Sequence, residues 1–267
     1  MKIVYVGDVM AEMGIQAVER VLPELRKSQG IDVVIAQAEN VTNGKGLSHA
    51  DYKRLLDAGV NGFTGGNHTT AHKETLSMLR NNDMPVTGPA NMHECPGPGF
   101  KYVTTLSGKV LIISLLGKIV GRDADKPVDN PIQVIDRILE SQAAVERVAT
   151  VVNVHGDFSS EKVVMGHYLD GRVTAVVGDH WHVPTNDARV LPHGTAHQTD
   201  VGMCGSLDSS LGVKLTSVIP RWRDGIQTRN VLETEGPLQF NALLIHTDDG
   251  TGLAIAVEPI RDIIAGK

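Results

Sequence analysis

Cysteine is nearly absent: Cys95 and Cys204 are the only two in 267 residues, and neither belongs to a CxxC spacing. This argues against a thiolate-built zinc site and against a disulfide framework, and buried or free thiols in a reducing cytoplasm are expected. Aromatic residues make up only 4% of the chain. Val, Ile and Leu must therefore form most of the core, as in parallel sheets covered by helices on both faces. No apolar run approaches the roughly 18 residues that span a bilayer. The N-terminal segment has the pattern of a strand rather than a signal peptide, so a cytoplasmic protein with no membrane partner is expected. No Lys/Arg cluster is present, and 25 basic against 31 acidic residues give a net charge of −6. That excludes a long nucleic-acid duplex as partner. A small anion stays admissible where its charge is met locally, as bound divalent cations do. Gly44-Lys45-Gly46 lacks the GxxxxGK[ST] spacing of a phosphate loop and reads as a turn.

What is present is an ordinary globular composition, 41% hydrophobic and 21% charged. No repeat, low-complexity segment or linker divides it, so one domain over 1–267 is expected. Strand patterns at 2–7, 32–38 and 60–64 alternate with helical ones at Ile15–Lys27, from the Ser48 N-cap through Ala58, and from Thr70 to about Asn81. Pro85, Pro89, Pro96 and Pro98 make Met84 to Gly99 an extended loop. Strands at 101–106 and 110–116 flank a Ser107-Gly108 turn. After a polar loop, Asn130-Pro131 opens a helix to about Arg147. A strand at 149–154, a helix from Ser159/Ser160 to near Leu169 and a strand at 173–178 follow. Strands at 196–201, 238–247 and 252–258 give the C-terminal part an antiparallel character, with long surface loops at 187–195 and 220–236. The fold class is α/β, a layered β-sheet core flanked by helices.

Five apolar runs end on metal-ligating residue types: Asp8, then Glu39 and Asn40, then Asn67 and His68, then His155, then His180 and His182. In open α/β sheets ligands bind beyond the carboxyl ends of the strands, where the loops converge. Recurrence at that place suggests one metal centre at one edge of a sheet. Each residue alone has a plain structural reading: Asp8 and Asn67 as helix caps, Glu39-Asn40 as loop polarity, His155 as a core histidine. His180 and His182 form a more specific pair, because alternate residues of an extended segment point the same way. Oxygen and imidazole donors without thiolate suit Mn, Fe or Zn. The donors exceed one tetrahedral ion, so two ions are expected, about 3.5–4 Å apart, with Glu39 bridging.

Gly7-Asp8, Gly66-Asn67-His68, the strand-end His155 and the HxH pair His180/His182 resemble the calcineurin-like metallophosphoesterase superfamily. Ala38-Glu39-Asn40, Ser160-Glu161-Lys162, the YLDGRV of 168–173, the TDVGM of 199–203, Pro89-Ala90-Asn91 and Asp129-Asn130-Pro131 are similar to its YmdB-like bacterial branch, over nearly the whole chain. The superfamily's DxH would place a histidine at Met10; the branch uses the asparagine after the bridging glutamate, matched by Asn40. The resemblance implies the calcineurin-like fold. It also implies one ion on Asp8, Glu39, Asn40 and His182 and a second on Glu39, Asn67, His155 and His180, with iron or manganese as the metals. Asn153, Asp157 and Thr70-Ala71 depart from the branch pattern without removing a ligand.

The implied activity is hydrolysis of small phosphodiesters, 2′,3′-cyclic nucleotides to 3′-nucleotides, through attack of a metal-bridging hydroxide. His68 is the expected proton donor, imidazole being suited to acid–base work near neutral pH. Two alternatives remain: a phosphomonoesterase or protein phosphatase on the same site, and a metal-binding regulatory protein acting through a partner surface. A homo-oligomer is compatible with either. His49, His72, His93, His167, His193, His197 and His246 are expected to be surface or structural. Trp181 either stacks on a base or packs beside the centre. Asp187, Asp200 and Asp208 are the candidate partners of the ligating histidines.

Overall fold

The computed structural model describes residues 1–266, without the side chain of Arg122. The chain runs through β1 (Lys2–Val6), β2 (Asp8–Val9), α1 (Ala11–Gln29), β3 (Val33–Gln37), α2 (His49–Ala58), β4 (Gly62–Thr64) and α3 (Lys73–Arg80). It continues as β5 (Phe100–Thr105), β6 (Gly108–Leu116), α4 (Pro131–Ser141), β7 (Ala149–His155), α5 (Ser159–Tyr168) and β8 (Ala175–Asp179). The last part holds β9 (Arg189–Val190), β10 (Ala196–Gln198), β11 (Met203–Ser206), α6 (Leu215–Asp224), β12 (Leu238–Thr247) and β13 (Ala254–Ile264).

These strands form two sheets. In the first, β1, β3 and β4 are parallel neighbours, while β12 lies antiparallel to β1 and carries β13 on its other side. Strand β11 extends this sheet to β2. In the second, β6, β7, β8 and β10 are parallel, with β5 and β9 antiparallel at the two edges. The expected antiparallel C-terminal part is thus present as the β12–β13 ribbon.

Side-chain alternation explains the layering. Val4 and Val6 of β1 join Val18, Leu22 and Leu55 in a core under α1 and α2. Ile3 and Tyr5 point the other way, against Val110, Ile112, Val151 and Val177 of the second sheet. Leu111, Ile113, Val152 and Val154 face α4 and α5 with Ile135 and Met165. Both faces of the central strands are buried, which is why they read as unbroken apolar runs. Four layers result: helix, sheet, sheet, helix.

The caps follow the residues. Ser48 Oγ accepts from Asp51 N at 3.1 Å to start α2, and Asn130 Oδ1 accepts from Ile132 N at 2.9 Å ahead of Pro131. Helix α4 ends at Ser141, short of Arg147, because the Arg147 guanidinium donates to the carbonyls of Gln142 and Val145 and secures a turn instead. The segment 220–236 is not all loop: α6 reaches Asp224 with Pro220 inside it and ends at Gly225, φ 70°. Both cysteines are free. Among the described residues no helix is long and apolar enough to cross a membrane.

Candidate metal centre

The carboxyl ends of parallel strands from both sheets meet at one place, so the residues do not line the edge of a single sheet. Asp8 follows β1, Glu39 and Asn40 follow β3, and Gly66-Asn67-His68 follows β4; His155 closes β7, and His180 and His182 follow β8. Asp8, Glu39, Asn40, Asn67 and His155 are all buried. The pair His180/His182 does not come from an extended segment. Both residues sit in a bend with left-handed backbone, φ 105° and 62°, a conformation that costs free energy away from glycine.

The contacts are close. His155 Nε2 lies 2.9 Å from Asn67 Oδ1 and 3.2 Å from Glu39 Oε1. Ligating atoms of Glu39, His155 and His180 all fall within 4.8 Å of one another. On the other side of Glu39, the Asn40 amide Nδ2 lies 3.4 Å from Asp8 Oδ1, 3.1 Å from Glu39 Oε1 and 3.3 Å from His182 Nε2. His182 Nε2 is 3.9 Å from Asp8 Oδ1, and its Nδ1 is buried with no partner. Gly66 permits this crowding, since a Cβ there would collide with the Glu39 carboxylate and the His155 ring. His68 is partly exposed. Its backbone N–H donates to Glu39 Oε2 at 2.7 Å, its Nδ1 lies 3.1 Å from Asn40 Oδ1, and its Nε2 lies 3.5 Å from Asp123 Oδ2.

Charge is divided unequally among these groups. Burial, then the neighbouring Asp179, hold the Asp8 carboxyl well above the usual carboxylate range. Burial would also raise Glu39, but the His155 and His68 imidazoles outweigh it and hold Glu39 well below that range. His155 behaves reciprocally: burial disfavours its charge, yet Glu39 and Asp179 keep it well above an ordinary histidine. Burial and the nearby His155 push His180 down to about 4, and burial does the same to His182. Those two imidazoles are neutral at physiological pH, with lone pairs free to bind a cation.

Asp179, the last residue of β8, is the carboxylate that orients the centre. It accepts from His155 Nδ1 at 2.6 Å, Tyr5 Oη at 2.8 Å, Gln37 Nε2 at 3.1 Å and Asn153 Nδ2 at 2.5 Å. Asp187 and Asp208 do not partner the histidines: Asp187 accepts from Thr185 and Thr199, and Asp208 is exposed. Asp200 acts one step away, accepting from Trp181 N at 2.9 Å and from the buried Lys162 Nζ at 3.1 Å. Lys162 also donates to Asp179 O at 2.6 Å and lies 4.4 Å over the Trp181 ring, so Trp181 packs beside the centre. Sequence reasoning did not single out Asp179; its place one residue before His180, at a strand end, was the available signal. Asp123 and Lys126 were missed as well. They reach over from the loop after β6 and hold Asn67, through Asn67 Nδ2 to Asp123 Oδ2 at 2.7 Å and Lys126 Nζ to Asn67 O at 2.6 Å.

Glu39, Asn40, His68, His180 and His182 open into a cleft of about 550 Å³, within the size range of small-molecule sites.

Comparison with known proteins identifies the family of the chain. A model of the family described as YmdB-like protein matches residues 4–260. The chain is 35% identical over 262 residues to the 2′,3′-cyclic-nucleotide 2′-phosphodiesterase of Bacillus subtilis strain 168, covering 97% of this chain and 96% of the relative. The crystal structure of a novel phosphatase from Mycoplasma pneumoniae superposes with a TM-score of 0.90 at 30% identity, covering 99% of this chain and 94% of that one. A 5′-nucleotidase precursor from Thermus thermophilus superposes with a TM-score of 0.57 at 12% identity, over 99% of this chain and 54% of the other; it shares the fold alone.

Proposed function

The chain belongs to the YmdB-like family of metallophosphoesterases, a hydrolase of phosphate esters, and we propose that it cleaves small phosphodiesters, 2′,3′-cyclic nucleotides to 3′-nucleotides. The curated relative is named for that substrate. The observation that carries the reading is the cluster around His155 Nε2. Its Nδ1 lies 2.6 Å from Asp179 Oδ1, which fixes the ring by accepting a hydrogen bond from that nitrogen. Nε2 then faces Asn67 Oδ1 and Glu39 Oε1, two further acceptors. Three lone-pair donors pointing at one another require a proton or a cation between them. The neutral state of His180 and His182, the latter with Nε2 facing Asp8 and Asn40, fits the same demand.

Asp8, Glu39, Asn40 and His182 would hold one divalent ion, and Glu39, Asn67, His155 and His180 the second; the donor set suits manganese, iron or zinc, and the family resemblance favours iron or manganese. When bound, such ions supply Lewis-acid charge for the phosphate oxygens and for deprotonating water. The protein's own groups do the rest. The Asp123–Lys126 loop clamps Asn67, and Asp179 fixes the His155 ring. His68, acting as acid, would carry its transferable proton on Nε2, which is 3.5 Å from Asp123 Oδ2, too far to be firmly held. That proton is the one to reach the leaving oxygen.

The test compares turnover of 2′,3′-cyclic AMP with that of a phosphomonoester by the metal-loaded protein. The diester should be preferred. Preference for the monoester overturns the substrate class in favour of a phosphatase. Glu39→Gln should lose turnover and any cellular effect together; a cellular effect that persists without turnover would mark a regulatory protein instead.

A further inference from the structure

We infer that Arg221 and Lys45 form a subsite for a second phosphate of the substrate, one nucleoside away from the phosphate at the metal centre. This rests on the phosphodiesterase reading and names its substrate class more narrowly. The cleft that holds Glu39, His68, His180 and His182 is also lined by Lys45, Arg221, Trp222 and Asn230. A second hollow of about 840 Å³ adjoins it, and Lys45, His68, Arg221 and Asn230 line both. The site therefore continues outward past His68, and its continuation carries Arg229 beside Lys45 and Arg221, against one carboxylate, Asp123, which pairs with Lys126.

These cations lack counter-ions. Lys126, Lys214 and Arg223 each pair with a carboxylate. Among the described residues Lys45, Arg221 and Arg229 form no such pair, in a chain whose net charge is −6. Arg221 is moreover held in place. Its Nη2 donates to Thr228 O at 2.9 Å, Thr228 Oγ1 at 3.0 Å and Asn230 Oδ1 at 2.8 Å. All three are neutral acceptors, so they fix the guanidinium without cancelling its charge. A preorganised, uncompensated guanidinium suits a phosphate, because its ordering cost is met before the ligand arrives. Trp222, next to it on α6, is 82% exposed while lining the cleft, and presents a flat face for a base.

A second phosphate could be the terminal 5′-phosphate of a nucleotide or the internal linkage of an oligonucleotide. The experiment measures calorimetric binding of three product-like probes to the metal-loaded protein: adenosine 3′-monophosphate, adenosine 3′,5′-bisphosphate and the dinucleotide ApAp. The bisphosphate or the dinucleotide should bind about tenfold more tightly than the monophosphate, the scale of one charge-assisted contact. Lys45→Glu, at an exposed side chain, and Arg221→Gln should each erase that ratio. Tighter binding of the bisphosphate assigns the subsite to a terminal phosphate; tighter binding of ApAp assigns it to an RNA linkage. Equal affinities for all three probes, or a ratio that survives both substitutions, overturns the subsite. Turnover of 2′,3′-cyclic AMP is scored separately. If it is absent while the ratio holds, the cyclic-nucleotide reading falls and the subsite stands; if it is present without a ratio, only the subsite falls.

Discussion

His68 and His155 are both histidines at strand ends, yet their surroundings give them different work. His155 is fully buried among Glu39, Asn67 and Asp179, whereas the His68 side chain is 27% exposed at the cleft. His68→Ala should therefore keep its metal by elemental analysis while kcat falls about 10²–10⁴-fold, the range for losing a general acid. Loss of metal in that variant would move His68 among the ligands. Protonation supplies a second expectation. His155 is held well above an ordinary histidine and so is charged at neutral pH, while His180 and His182, pushed down to about 4, are already neutral. Metal uptake at pH 7 should then release about one proton or more, chiefly from His155, and affinity should rise with pH until that proton is gone. Calorimetry in buffers of different ionisation enthalpy counts the protons, and a count of zero would contradict the assignment. The donor types were legible in the sequence because each stands at the end of an apolar run. The left-handed bend that delivers His180 and His182 was not legible, since nothing local marks it, and an extended HxH was the natural expectation.

At the scale of elements, the strands and caps followed from pattern, whereas α6 did not. Pro220 looks like a breaker, but a proline removes only one donor, and Gly225 closes the helix after it. That helix carries Arg221 and Trp222, so the least legible element holds the outer part of the cleft. Lys162 is the opposite case: its Ser160-Glu161-Lys162 motif was visible, but its role was not. The structure buries it on α5 against Asp200, Asp179 O and the Trp181 ring, so that a helix of the second sheet braces the bend bearing His180 and His182. Lys162→Met leaves Asp200 buried without its cation and should cost about 3–5 kcal/mol. Urea denaturation should show that loss, and adding Asp200→Asn should recover part of it. A single variant as stable as the parent would remove the pair from the bracing role.

For the whole molecule, the division of ligands between two sheets has a thermodynamic consequence. Asp8, Glu39, Asn40 and Asn67 follow strands of the first sheet, and His155, His180 and His182 end or follow strands of the second. The sheets already share a core of residues such as Tyr5, Ile35, Ile112 and Val177. Ions held by both sets of ligands would join the sheets again at the solvent-facing end of that core. Unfolding would separate these candidate ligands, so a metal held by them would bind the folded state preferentially and stabilise it by mass action. At a free concentration of one hundred times Kd the gain is about 2.7 kcal/mol for one site, which raises Tm by roughly 5–10 °C for a chain near this size. Adding Mn²⁺ to the chelator-treated protein should produce such a shift in a thermal scan. Glu39→Gln, which weakens the one carboxylate assigned to both ions, should abolish most of it. Asp249→Asn, on a surface turn paired with the N-terminus, should leave the shift intact. A full shift in Glu39→Gln would mean that the ions act elsewhere, and the two-sheet centre would have to be abandoned.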